Sequence, residues 1–301
     1  MMPFRHRCPA GFTPLLTPFS EDRCDIAALN AAIDRQVAAG MDGIVILDAF
    51  GEGHALDAQE RDAIISACVQ RAQGRLSVIA ATGTNCTTAS IDLARRAVRL
   101  GADALLVTIP YYSKPRLAGV VEHFRSIADA VPVPIIVDDD PGRTAIDFGM
   151  GLLSGLASTE GIVAVCHGQA RLGFFAGLPA NLRRRYLHLS RDCRTLPAFI
   201  ASGGNGAISP LANVLPSHVR SILDASAELG RMTALHQEIV SALASCGPDD
   251  IAALKEATSF IHQHPADVRL PLVAAEPETI IGIRHAFAPF ARCEGEATVA
   301  A

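Results

Sequence analysis

Residues 43–60 read GIVILDAFGEGHALDAQE, and one whole unit of the fold is contained in them. Gly43 to Leu47 is an uninterrupted apolar run bounded by loop residues. A parallel strand covered on both faces requires such a run. Asp48-Ala49-Phe50-Gly51-Glu52 follows as a loop. Asp57 then stands three residues before Glu60, the spacing of a capping box. The helix it opens carries Ile64, Ile65 and Cys68.

The unit repeats in both directions. Phe12 to Thr17 reads as the first strand, and Asp25 caps a helix with Ile26, Leu29, Ile33 and Val37 on its apolar face. Downstream strands are expected at Leu76–Ala81, Ala104–Thr108, Pro134–Val137, Gly161–Val165, Tyr186–Leu189 and Gly206–Ser209. Helices fill the intervals, from about Thr88 to Gly101 and from Leu117 to Ala130, with Asp147 capping the one after the fifth strand. Strand starts recur roughly every 25 to 35 residues, the length of a strand–helix unit. Eight such units close into a (β/α)8 TIM barrel, which leaves no unpaired edge. No GxGxxG follows the first strand, which disfavours a dinucleotide-binding open sheet. Beyond residue 210 the pattern is helical. The expected organisation is a barrel over 1–225 and a small C-terminal helical extension over 226–301, packed on it as one structural domain.

Composition sets limits on function. Half of the 301 residues are hydrophobic, so a large core is available. The net charge is -5 with no basic cluster, which argues against nucleic-acid binding. No apolar run is long enough to span a membrane. The N-terminal stretch MMPFRHRCPAG lacks an apolar signal-peptide core. Eight cysteines are scattered without CxxC, as reduced thiols would be. A cytoplasmic protein is expected, with no cofactor and no metal among its fixed requirements.

The unusual residues gather in the loops after the strands, where barrels carry function. They are Asp48–Glu52, Thr82–Asn85, Pro110–Pro115 and Asp138–Thr144. With Thr17-Pro18-Phe19, Ser202–Ser209 (SGGNGAIS) and Arg269–Leu272 (RLPL), these segments make the chain resemble the dihydrodipicolinate synthase and N-acetylneuraminate lyase family. The resemblance runs from about Gly11 to Pro271. It implies a barrel, usually a homotetramer, acting on pyruvate or another 2-oxo acid through a lysine imine; for this chain a homotetramer or homodimer and a small carboxylate ligand are expected.

At the matching positions the residues differ. The family's imine-forming lysine falls at Cys166, in Ala164-Val165-Cys166-His167. The chain has only two lysines, Lys114 and Lys255, and neither matches. A thiol adduct has no protonated nitrogen to draw electrons from the α-carbon, so cysteine cannot replace that group. The relay tyrosine of strand five falls at Asp138, and the paired threonines fall at Ala49 and Phe50. Tyr112 and Arg143 match retained residues, and Tyr111 is the one of its pair expected to cross to a neighbouring subunit. The candidate catalytic residues are therefore Tyr112, Asp138, Cys166 and His167. The candidate ligand-binding residues are Ala49, Phe50, Arg143, Gly204 and Ile208. Cys166 and His167 are strand neighbours and face opposite ways unless the strand has ended. Three functions remain open: a divergent lyase or aldolase that does not use the lysine imine, a catalytically inactive binding or scaffold barrel, and a metal-assisted lyase using Asp138–Asp140.

Overall fold

The computed structural model describes residues 9–291 apart from Pro248. Cys8, Cys293, most of the N-terminal stretch read for a signal peptide and the end of the C-terminal extension lie outside the described residues.

Eight parallel strands close into a barrel: β1 (Ala10–Pro14), β2 (Gly43–Ile46), β3 (Ser77–Ala81), β4 (Ala104–Thr108), β5 (Ile135–Asp139), β6 (Ile162–His167), β7 (Leu187–Ser190) and β8 (Gly206–Ile208). β1 pairs with both β2 and β8, which completes the ring. Alternation divides each strand's apolar residues between two compartments. Phe12, Val45, Ile79, Leu106, Ile136, Ala164, Cys166, Leu189 and Ile208 fill the barrel interior. Ile44, Val78, Leu105, Val107, Ile135, Val137 and Val165 pack outward under the helices. Each large apolar side chain so buried stabilises the fold by about 1.5–3 kcal/mol relative to exposure.

Helix starts follow the sequence chemistry. Asp57 and Glu60 form the expected capping box at Ala58–Ala72, and Asp25 accepts from the Ala28 N–H at Ile26–Ala38. Asp147 does not cap in the expected way. Gly149 is the cap of Met150–Leu156, and the Asp147 carboxylate accepts from the Gly149 N–H while pairing with Arg171. A short hairpin, Phe19–Ser20 with Arg23–Cys24, follows β1 as a separate two-stranded sheet and was not read from the sequence.

The C-terminal region contains Leu229–Glu238, Val240–Ser245, Ile251–His262 and Pro277–Phe287. Its apolar residues Ile251, Leu254, Ile283 and Phe287 join the same core as Leu15, Phe19 and Phe50. One buried ion pair ties it to the barrel mouth. Glu52, in the loop after β2 with φ 50°, meets the Lys255 ammonium, and both side chains are fully buried. Lys255 also donates to the Asp267 carbonyl at 2.6 Å, and the Arg269 N–H donates to Glu52 at 2.8 Å. Among the described residues no helix is long and apolar enough to cross a membrane, and the cysteines there are free thiols.

Candidate active site

A cavity of about 310 Å³ opens at the carboxyl ends of β2 to β5. Asp48, Ala49, Arg61, Thr108, Tyr111, Asp138 and Arg143 stand on its wall. Strand register explains why Asp138 is there. It lies opposite Cys166, and Asp139 lies opposite His167, so the first pair faces inward and the second outward.

Against Asp138 lies a side chain absent from the candidate set. Arg191 follows β7 two residues after the inward-facing Leu189, and its side chain is 0% exposed. Its Nη2 donates to Asp138 Oδ1 at 2.8 Å, and Nη1 is 3.7 Å from Asp48 Oδ2. Nε, Nη1 and Asp48 Oδ2 make no hydrogen bond. The guanidinium is 5.8 Å from the Phe50 ring centroid, and the Arg143 guanidinium is 5.2 Å from it. Phe50 is thus a buried ring within reach of two guanidinium groups, a favourable arrangement for an aromatic face.

Burial raises the Asp138 carboxyl to about 6; Arg191 pulls it down, and Asp140 and Asp48 push it up. Burial likewise raises Asp48, against the pull of Arg191. Two carboxylates beside one guanidinium in a dry setting therefore hold protons more tightly than free aspartates. Cys166 is fully buried among barrel residues, and burial pushes its thiol up to about 12. At neutral pH it is a protonated filler rather than a thiolate nucleophile.

The three consecutive aspartates separate. Asp139 pairs with Arg171 at 3.1 Å, outside the barrel. Asp140 accepts from the Gly142 N–H and starts the helical turn Pro141–Thr144. Among the described residues no group of three His, Cys, Asp or Glu side chains is placed to hold a metal. The guanidinium of Arg191 already stands where a cation between Asp48 and Asp138 would sit. Arg143 lines the cavity but also binds Asp249 at 2.7 Å and lies 3.7 Å from Asp140.

Other candidates fall elsewhere. Tyr112 is 91% exposed with φ 68°, whereas Tyr111 lines the cavity. The structure thus brings Tyr111, and not Tyr112, to the cavity of its own barrel. Gly204 precedes β8 and belongs to the opposite, amino end of the barrel. Its N–H donates to the Phe199 carbonyl, and a Cβ there would come within 2.3 Å of the Phe199 ring. Packing, not ligand approach, requires that glycine. Ile208 is inside the barrel with Cys166.

His167 lies in the outer layer, corrected from the barrel mouth. Its Nε2 is 2.9 Å from Nδ1 of His188, and the rings stack at 5.2 Å. His188 Nε2 donates to the Leu182 carbonyl, so its Nδ1 accepts and His167 Nε2 donates. Phe174, Phe175 and Phe199 surround His167. Burial lowers His167 well below the usual imidazole range and His188 to about 4. An imidazole depressed on folding contributes stability that is complete above about pH 6.5 and is lost as pH falls toward 4. The raised carboxylates Asp138 and Asp48 act in the opposite sense, so wild-type pH dependence is a mixture. Comparing wild type with His167→Leu/His188→Leu isolates the pair. The difference in melting temperature should change between pH 7 and pH 4.5 in favour of the variant. A pH-independent difference refutes the neutral-pair assignment.

A closed parallel barrel whose polar side chains and cavity gather at the carboxyl ends of its strands is the arrangement in which (β/α)8 barrels carry active sites. The chain belongs to the dihydrodipicolinate synthetase family, whose sequence model matches residues 10–280. It is 32% identical over 284 residues to a 4-hydroxy-tetrahydrodipicolinate synthase of Rhodopseudomonas palustris, covering 91% of this chain and 94% of the relative. The crystal structure of dihydrodipicolinate synthase from Aquifex aeolicus superposes with a TM-score of 0.88 at 30% identity, covering 94% of this chain and 98% of that one. The chloride-inhibited synthase of Acinetobacter baumannii complexed with pyruvate superposes with a TM-score of 0.85 at 26% identity, over 93% and 98% of the two chains.

Proposed function

We propose that this protein is a lyase-type member of its family that takes a small carboxylate compound into the mouth cavity and works on it by acid–base chemistry, without a lysine imine. One observation carries the reading. The cavity at the family's active-site position has Asp138 and Arg143 on its wall, and neither Lys114 nor Lys255 lines it. A guanidinium binds a planar carboxylate through two parallel hydrogen bonds, which suits Arg143 to anchor the ligand. The pyruvate held by the Acinetobacter baumannii relative supports a 2-oxo acid or similar ligand. The free thiols support a cytoplasmic location. Exposed Tyr112, Leu270 and Ile281 support assembly into a homodimer or homotetramer.

The test is a calorimetric screen of 2-oxo acids and sugar acids, with borohydride added in parallel. Arg143→Lys is expected to keep the fold and weaken binding by about 1–3 kcal/mol, the scale of a charge-assisted hydrogen bond. Borohydride with pyruvate should leave no added mass. Reductive trapping on either lysine, or unchanged affinity in Arg143→Lys, defeats the proposal.

A further inference from the structure

We infer that Asp138 is the proton-transfer residue of this site, and that Arg191 is a positioning residue which, with Asp48 on its other side, fixes the charge and direction of the Asp138 carboxyl. The inference deepens the acid–base reading above and rests on it. Its basis is geometric. The Arg191 guanidinium reaches Asp138 Oδ1 at 2.8 Å, and Asp138 is a wall residue of the cavity. Arg191 itself has a side-chain exposure of 0% and is not among the wall residues of this cavity. It acts through the carboxyl it holds.

Charge arithmetic then makes the unit useful. Two buried aspartates flank one cation, so with both ionised the trio carries -1 in a site shielded from water. Retaining one proton brings the trio to neutrality, which a dry interior favours. The groups that face Asp138 are Arg191 after β7, Asp48 after β2, Cys166 on β6, and Asp140 and Arg143 in its own loop. Of these, Arg191 and Arg143 oppose its protonation. The result is a carboxyl that titrates near 6, close to working pH, as an acid–base group needs to.

The substrate class that fits is a β-hydroxy carbonyl acid whose carboxylate lies on Arg143. Asp138 takes the hydroxyl proton, breaking that O–H bond and forming its own. The pair left on oxygen becomes a carbonyl bond as the neighbouring carbon–carbon bond opens. The bonding pair of that bond passes to the carboxylate-bearing fragment as an enolate. Asp138 then returns the proton to the enolate carbon, so no oxidant or reductant is consumed. Run backward on a small 2-oxo acid, the last step is removal of a proton from the carbon beside the carbonyl.

Two readouts on the whole protein test this. In protein carrying ¹³Cγ-aspartate, one carboxyl should titrate near pH 6 and vanish in Asp138→Asn. In Arg191→Lys, which keeps the charge but loses the fixed fork, the same signal should move by at least half a pH unit. In parallel, pyruvate in D₂O should exchange its methyl protons in the presence of the wild-type protein, with a pH profile inflecting at the same value. Asp138→Asn should lose that exchange at least 100-fold. Exchange that survives in Asp138→Asn overturns the assignment, as does the absence of any aspartate titrating between pH 5 and 7.5. An unmoved signal in Arg191→Lys overturns the role given to Arg191. Titration near 6 without pyruvate exchange in wild type supports the proton-holding trio while overturning the 2-oxo acid reading of the ligand.

Discussion

Replacing Arg191 with methionine is expected to cost about 3–5 kcal/mol of folding stability, the penalty for leaving buried charge without its partner. The side chain is fully enclosed, and its guanidinium stands between Asp138 and Asp48 within the barrel mouth. Methionine fills much of the volume, so the loss measures charge rather than a cavity. Protonation gives the variant a partial escape, because Asp138 already titrates near 6. The cost should therefore be greater at pH 8 than at pH 5, where the Asp138 carboxyl is neutralised. A second substitution separates charge from packing. Arg191→Met/Asp138→Leu removes both partners of the 2.8 Å bond and should regain a large part of the loss. Urea unfolding of the three proteins at both pH values decides the matter. A single-variant loss under 1 kcal/mol would mean that Arg191 is not the counter-charge of this site.

Restoring a lysine by Cys166→Lys is expected to harm the protein rather than revive imine chemistry. Cys166 is 0% exposed among Phe12, Ile136, Leu189 and Ile208, so a longer chain has no free volume there. Overpacking alone costs about 1–3 kcal/mol. The new ammonium would also stand beside the Arg191 guanidinium, which already faces the thiol. Like charges in a dry interior repel strongly, and the lysine would be driven neutral or the strand displaced. Scanning calorimetry should show a melting temperature several degrees below wild type, and borohydride with pyruvate should leave no adduct at position 166. A stable variant that traps pyruvate there would show that the barrel mouth still accommodates the older chemistry.

The barrel was legible because its strands are continuous apolar runs with glycine, proline or aspartate at their ends. GIVIL, LSVIAA and ALLVT each became a strand for that reason. The hairpin at Phe19–Cys24 was not legible: two residues on each side are too few for a periodic signal. The helical pattern beyond residue 210 breaks at Ile239, and the bounds of Pro277–Phe287 were not legible because only Ile283 and Phe287 of its apolar residues are buried. In the site, the outward turn of Asp139 follows from alternation, and so does the outward face of His167 once β6 is seen to run through it. Arg191 escaped notice because Leu187–Ser190 is a weak strand followed by a polar stretch. Its signal was present: a residue two beyond inward-facing Leu189 faces inward too. The tyrosine pair was not legible, since backbone φ at Tyr112 decides which ring enters the cavity.

The ion pair between Glu52 and Lys255 also bears on how the chain is made. Synthesis runs from the amino end at about 5–20 residues per second, so the loop bearing Asp48, Phe50 and Glu52 leaves the ribosome well before Lys255. Until the helix Ile251–His262 emerges, Glu52 has no ammonium to meet, and its carboxylate must stay in water. The loop after β2 is thereby settled by residues that contribute nothing to the barrel's own strands. A nascent chain stalled before residue 251 would hold all eight strands with the Glu52 carboxylate still in water, so that loop waits on a helix made after every strand of the barrel.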